Sequence, residues 1–346
     1  MAALRIAVAG AGWMGRRHIA TLARSSECKL SALVDPASSA AAAARDAGVP
    51  LYSSLEDLFA QERPDGVVVA TPNQLHEQHG LACVAAKVPT LIEKPLSDNV
   101  EAAERLCVAG ERAGVPLLTG HHRQHNPLMA AAMDVIQSGR IGRPVAVVGT
   151  AMFCKPDSYF NEGPWRREPG GGPILINLIH EIGNLRALCG EISAVQAIVS
   201  TAVRGFAVED TAAINLQFES GVLGTFIVSD TAASAQSWEL TTGEDPNYPA
   251  NADEDCYVVA GTRGSLAIPT MRLKSYGGEA SWWTPFVNET VTVTRADPWD
   301  RQLENFCAVI RGEAKPVVSA RDGLQNVRVI AAIQRAAATG GRISLG

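Results

Sequence analysis

A charged pair breaks an apolar run at Thr90-Leu-Ile-Glu93-Lys94-Pro95. Thr90, Leu91 and Ile92 suit a buried strand of a parallel sheet, and in open α/β sheets the ligand crevice lies beyond the carboxyl ends of such strands. Glu93 and Lys94 therefore stand where a ligand would be met. Pro95 fixes its own φ and disfavours helical backbone at Lys94, so the lysine is not drawn into the next helix. An ammonium there can stabilise negative charge developing on a ligand oxygen, and partial desolvation would lower its pKa towards proton exchange. A lysine that merely ends a strand and carries its charge to solvent is the competing reading.

A second chemistry-bearing stretch opens the chain. Arg5 to Ala9 reads as a strand feeding Gly10-Ala-Gly12-Trp13-Met14-Gly15, a G-x-G-x-x-G pattern whose glycines permit a tight turn, close approach of a pyrophosphate and close packing of helix on strand. A helical stretch from Met14 to Arg24 follows, and its free N–H groups and dipole would hold the phosphates. The second strand, Leu30 to Val34, ends in Asp35, 20 residues beyond Gly15, near the spacing of a carboxylate that binds a ribose 2′-hydroxyl. Asp35 would repel a 2′-phosphate, and Pro36 stands where a phosphate-binding arginine could have been. NAD is the expected cofactor and NADP the lesser alternative, with Arg16 or Arg17 the residues able to reverse that preference.

The elements between repeat a βα rhythm. Ser38 to Ala47 reads as helix, Leu51-Tyr52 as a short strand, and Ser54-Leu-Glu-Asp57 as a capping box opening a helix to Gln61. Gly66 to Ala70 is a buried strand followed by Thr71, Pro72 and Asn73 on the cofactor side, then a helix through Ala86 with His76 and His79. His76 is open between a packing or capping role and a cofactor contact. A helix capped near Ser97 or Asp98 and a strand from Val115 to Thr119 complete six units. We expect a dinucleotide-binding domain over 1–122 and a substrate and oligomerisation domain over 123–346.

At 346 residues, 47% hydrophobic and 19% charged, the chain suits two globular domains. A net charge of −6 argues against nucleic acid or an anionic membrane as partner. No apolar run approaches the roughly 18 residues of a membrane span, and a strand begins almost at once, so a cytoplasmic location is expected. Seven scattered cysteines without a C-x-x-C pair read as reduced packing residues, and no metal motif is present.

Three signatures in order, Gly10-Ala-Gly12-Trp-Met-Gly15-Arg-Arg-His18, Val69-Ala-Thr71-Pro72-Asn73-Gln-Leu-His76 and Glu93-Lys94-Pro95, resemble those of the Gfo/Idh/MocA family of oxidoreductases. The likeness continues through Gly120-His-His122-Arg123-Gln-His-Asn-Pro127, Trp165-Arg166, Gly170 to His180, Val258 to Leu266, Gln302 to Phe306 and Ser319 to Leu324. It implies a Rossmann domain followed by an α+β domain built on a large, mostly antiparallel sheet open on one face, which makes a homodimer or homotetramer through that face the expected assembly. It implies hydride transfer between nicotinamide and a hydroxyl or carbonyl carbon of a sugar, inositol-like polyol or cyclic hydroxy acid. The second half agrees: a helix from Asn126 to Ser138, strands at Val145–Cys154, Asp210–Glu219, Val222–Ser229, Cys256–Ala260 and Thr290–Thr294, and helices from Asp297 to Arg311 and Asp322 to Thr339.

Oxidation of an alcohol needs a base for the hydroxyl proton and a cation for the developing alkoxide. Lys94 suits the second role, and His180, with an ordinary pKa of about 6.5, suits the first. Relatives resembling this chain usually carry an aspartate four residues before that histidine, and here the position is Ile176. Asn177 then shares the helix face with His180 at i and i+3, able to orient the imidazole or bind a hydroxyl. Arg123, His122, Tyr159, Trp165, Arg166 and Asn177 are candidates for the substrate wall, with His180. Two other classes fit the resemblance: a non-catalytic dinucleotide-binding regulator, against which Lys94 and His180 together argue, and an NAD-dependent glycoside hydrolase, which would cleave without net NADH.

Overall fold

A computed structural model describes residues 2–345. The chain divides into two compact units, one running to His125 and including Ala296–Val327, the other formed by Asn126–Arg295 and the chain from Arg328 onward.

The first unit carries six strands, β1 (Leu4–Ala9), β2 (Cys28–Val34), β3 (Leu51–Tyr52), β4 (Gly66–Val69), β5 (Thr90–Glu93) and β6 (Leu117–Gly120). They form one parallel sheet in the order β3-β2-β1-β4-β5-β6. Every residue of β4, β5 and β6 is buried, which is why these strands read as continuous apolar runs. Ser54 caps its helix, Leu55–Gln61, by accepting from Asp57 N at 3.0 Å. The helix after β5 is Val100–Ala113, and its cap is Asn99, which accepts from Ala102 N at 2.8 Å, rather than Ser97 or Asp98.

Residues 296–327, which we expected in the second domain, belong to the first unit. The helix Pro298–Ile310 brings Leu303, Phe306, Cys307 and Val309 into one buried cluster with Ile6, Val8, Leu33, Val68 and Leu91. Gly66 shows how closely it sits, since a Cβ there would fall 2.9 Å from Phe306 Cζ. Thr119 N then donates to Val318 O at 3.0 Å. Apolar burial on the sheet face, not chain order, decides this membership.

The second unit holds nine strands: β7 (Pro144–Met152), β8 (Ile192–Ser200), β9 (Thr211–Phe218), β10 (Leu223–Ser229), β11 (Tyr257–Gly261), β12 (Gly264–Ile268), β13 (Arg272–Ser275), β14 (Val287–Thr290) and β15 (Ile343–Ser344). Their order is β14-β13-β12-β11-β7-β10-β9-β8-β15, and only the β7–β10 pair is parallel. The strand expected at 290–294 is instead Val287–Thr290. Its partner β13 starts at Arg272, which pairs with Thr290, and Met271 before it turns with φ of 57°, so beyond Val291, whose N–H reaches Met271 O, nothing remains to pair with. Six of the seven cysteines are buried and Cys154 is exposed.

Candidate functional site

The chain leaves β1 and turns at Gly10, where φ is 95° and a Cβ would lie 2.5 Å from Ala70 O. Gly15 is held by different crowding: a Cβ there would fall 1.8 Å from Gly10 O, so helix Trp13–Arg24 reaches the loop only because this residue has none. Gly12 is unlike both. No atom lies within 4 Å of its would-be Cβ, and its φ of −69° and ψ of −166° suit any residue. Nothing in the protein requires glycine at 12, whereas a pyrophosphate lying against the backbone does. The helix that follows has no side-chain cap and no acidic residue in its first turn, leaving its N–H groups and dipole for an anion. These residues fit a dinucleotide.

Asp35, at the end of β2, accepts from Ala11 N in that loop at 2.8 Å and from Ala37 N at 2.8 Å. Its carboxylate is thereby oriented beside the loop. Arg16 turns back to donate to Ala11 O at 3.3 Å, and Arg17 lies over the Trp299 ring, 5.6 Å from its centroid. After β4, Thr71 Oγ1 meets His79 Nδ1 at 3.0 Å, and Asn73 opens a 3-10 turn, Asn73–Leu75, behind Pro72. His76 is buried, with Nε2 2.9 Å from Thr71 O and Nδ1 2.7 Å from Pro95 O. It ties the end of β4 to the Lys94-Pro95 turn.

Glu93 ends β5 buried, accepting from His18 Nε2 at 2.7 Å and from Lys94 N at 3.2 Å. Burial opposes its ionisation, but the bond to His18 and the charges of His18, His122 and Lys94 hold its pKa below the usual carboxylate range. We expected Glu93 at the cofactor; in the structure its carboxylate is directed to His18 and to the backbone of Lys94. Lys94 is half-buried, and the bond to Pro95 is cis. His122 stacks on Trp299 with centroids 4.1 Å apart, His18 meets the same ring edge-on at 5.3 Å, and Arg123 is buried.

Burial lowers the pKa of His76 and His79 and takes that of His125 to about 4. An unfolded chain binds these protons near the ordinary value while the native chain binds them only at lower pH, so their contribution to stability is full above about pH 6.5 and is lost as pH falls. The thermal midpoint should therefore fall between about pH 7 and about pH 5, less steeply in His125→Asn. A midpoint that stays level over that range would contradict this.

In the second unit, Tyr159 lies between two cations: Lys155 Nζ is 4.7 Å from its centroid and the Arg166 guanidinium 3.8 Å. Arg166 also donates to Tyr159 O and stands beside the exposed Trp165 ring, 5.7 Å from its centroid. Lys155 Nζ donates to Asn177 Oδ1 at 2.7 Å and is 4.0 Å from Asp230, which Arg204 Nε bonds at 2.7 Å. Asn177 falls in a π-helical turn, Ile174–Leu178, that leads into helix Ile179–Cys189 with His180 at its second residue, buried. The α-helical spacing we assumed for residues 177 and 180 does not hold through that turn, and the amide oxygen faces Lys155. Glu181 is buried and accepts from the Tyr257 hydroxyl.

Gly10, Gly12, Gly15, Asp35, Thr71, Asn73 and Lys94 thus gather at the carboxyl ends of β1, β2, β4 and β5, and His122 and Arg123 belong to the same unit. Tyr159, Trp165, Arg166, Asn177 and His180 lie in the second. Sequence reasoning missed His18, Trp299, Lys155, Arg204 and Asp230. Lys155 had a signal: Lys155-Pro156 follows a strand as Lys94-Pro95 does. Among the described residues no cluster of His, Cys, Asp or Glu could hold a metal ion, and no helix is long and apolar enough to cross a membrane.

Residues 4–121 match the family described as oxidoreductases with an NAD-binding Rossmann fold, Gfo/Idh/MocA, and residues 129–267 match the C-terminal domain of the same family. The chain is 29% identical over 294 residues to 1,5-anhydro-D-fructose reductase of Ensifer adhaerens, covering 83% of this chain and 82% of that one. It is 34% identical over 228 residues to inositol 2-dehydrogenase 2 of Saccharopolyspora erythraea, covering 64% and 65%. The WlbA dehydrogenase of Bordetella pertussis, solved with NADH and UDP-GlcNAcA, superposes with a TM-score of 0.80 at 25% identity over 100% of this chain and 99% of that one. An oxidoreductase of Agrobacterium radiobacter, solved with NAD+, L-tartaric acid and magnesium, shares the fold at a TM-score of 0.84 and 19% identity over 100% and 99%.

Proposed function

Since the chain belongs to the Gfo/Idh/MocA family of oxidoreductases, we propose that it is an NAD-dependent dehydrogenase or reductase acting at a secondary alcohol or ketone carbon of a sugar, inositol-like polyol or cyclic hydroxy acid. The observation that carries this is the strand-end array in which Lys94 leaves β5 in the same sheet crevice as the glycine loop and Asp35. A bound nicotinamide dinucleotide would supply the redox chemistry. The loop residues Gly10 to Gly15 would hold its phosphates, Asp35 its ribose, and Thr71, Pro72 and Asn73 would border it. Lys94 would stabilise negative charge on the reacting oxygen, and His180 would take the hydroxyl proton in oxidation and return it in reduction. Absorbance of NADH, followed against panels of aldoses, inositols, polyols and cyclic hydroxy acids, tests the reading, and silence across all four would sink it.

NAD is favoured over NADP because Asp35 is held against the loop by Ala11 N and because Arg16 and Arg17 are turned to Ala11 O and Trp299. Asp35→Ala should narrow the preference for NAD, since both the ribose acceptor and the repulsion of a 2′-phosphate are lost. A wild-type kcat/KM with NADP equal to that with NAD would overturn this assignment.

We also infer that a second copy of the chain covers the outer face of the nine-stranded sheet. Strands β7 to β11 contain no charged residue, and Val148, Ile198 and Leu223 on them are 55%, 77% and 61% exposed. Continuous uncharged area of this kind marks an interface. Sedimentation equilibrium should give a multiple of the chain mass, and a monomer at micromolar concentration would rule the interface out.

A further inference from the structure

The bond from Lys155 to Asn177 has a chemical consequence. An ammonium carries donors and no acceptor, so it determines which end of the amide it meets. The oxygen of Asn177 faces Lys155 Nζ at 2.7 Å, and the NH2 group is left for other partners. Leu175, Ile176 and Asn177 are the only residues from Ile174 to Arg186 that are not buried, so Asn177 is the accessible amide of this stretch, three residues before the His180 proposed as proton acceptor. What it offers is a pair of N–H donors. An aspartate at position 176 would offer acceptors; Ile176 offers neither.

Three basic side chains and four carboxylates surround that amide. Lys155, Arg166 and Arg204 cluster at the rings of Tyr159 and Phe160. Of the nearby carboxylates, Asp230 is bonded by Arg204 Nε, Asp210 Oδ2 accepts the backbone N–H groups of Val203 and Arg204, and Glu209 accepts Ile174 N at 2.9 Å. Asp157 is 94% exposed and 3.9 Å from Arg204. A hydroxyl oxygen can accept from the Asn177 amide, but its own proton finds no acceptor on that amide or on the Lys155 ammonium, whereas a carboxylate presents acceptors alone.

We propose that Lys155 is a positioning residue that turns Asn177 into a specificity-determining donor, and that the substrate presents a carboxylate to it. The inference rests on the oxidoreductase reading above and narrows its substrate to sugar acids or hydroxy acids. Calorimetric titration of the full chain saturated with NAD tests it with matched pairs, D-glucuronate against D-glucose and D-gluconate against D-glucitol. The acid of at least one pair should bind at least about tenfold more tightly, equivalent to about 1.4 kcal/mol. Lys155→Met should bring the ratio within about twofold, Lys155→Arg should keep most of it, and Asn177→Asp should reverse it. Should Lys155→Met fail to fold, the Lys155→Arg and Asn177→Asp pair still decides. Failure of both acids to bind, neutral members binding as tightly, or a ratio unmoved by Lys155→Met would overturn the proposal. Acids that bind with this dependence on Lys155, with no NADH formed across all four substrate panels, would instead sink the oxidoreductase reading and leave the carboxylate preference standing.

Discussion

Lys94→Ala is expected to lower kcat by at least about a hundredfold, the scale of one acid/base or oxyanion-stabilising group, while NAD affinity stays within about twofold. The separation follows from how the residue is held. Its backbone N–H is bonded by Glu93 Oε2 at 3.2 Å, and the carbonyl of Pro95 meets His76 Nδ1 at 2.7 Å, so the turn keeps its shape without the lysine side chain. The glycine loop and Asp35, which would carry most of the cofactor, are on other strands. Calorimetry of NAD binding beside steady-state rates checks both halves. A variant retaining most of its activity would return Lys94 to the role of a strand-end surface lysine, and one losing NAD affinity in proportion would make it a binding residue.

The second large effect contrasts two glycines of one motif. Gly12→Val should leave the thermal midpoint almost unchanged, since no protein atom stands within 4 Å of the new Cβ, yet it should weaken NAD binding by at least about a hundredfold, or about 2.7 kcal/mol, because the side chain would fill the space against which a pyrophosphate rests. Gly15→Ala should instead be felt in the fold. Its Cβ would come 1.8 Å from Gly10 O, so loop or helix must shift, at a cost of about 1–3 kcal/mol. Equal losses of stability in the two variants, or full NAD affinity in Gly12→Val, would show that the glycines are all there for the protein's own packing.

Much of this protein was legible in the chain because it depends on local rules. The six βα units, the glycine loop with Asp35 at the end of β2, and Lys94 at the end of β5 follow from strand and helix periods and from strand-turn-helix spacing. Strands β7, β9, β10 and β11 were legible through alternation and glycine turns. β8 was missed even though its inward residues are buried, as was β12, while β13 and β15, at 4 and 2 residues, are too short to show a period.

Tertiary structure alone decided the partners. Residues 296–327 join the first sheet because Phe306 and Leu303 fill its apolar face, a choice that hydropathy of the helix could not direct to one sheet or the other. His18 and Glu93 are 75 positions apart, and Lys155 and Asn177 are 22 apart. Side-chain spacing rules reach only three or four residues along one helix, and even there the π-helical turn at 174–178 undid the register assumed for Asn177 and His180. Which donor meets which acceptor across such distances is fixed by how strands and helices stack, and stacking is settled by burial of the whole apolar surface rather than by any local stretch of sequence.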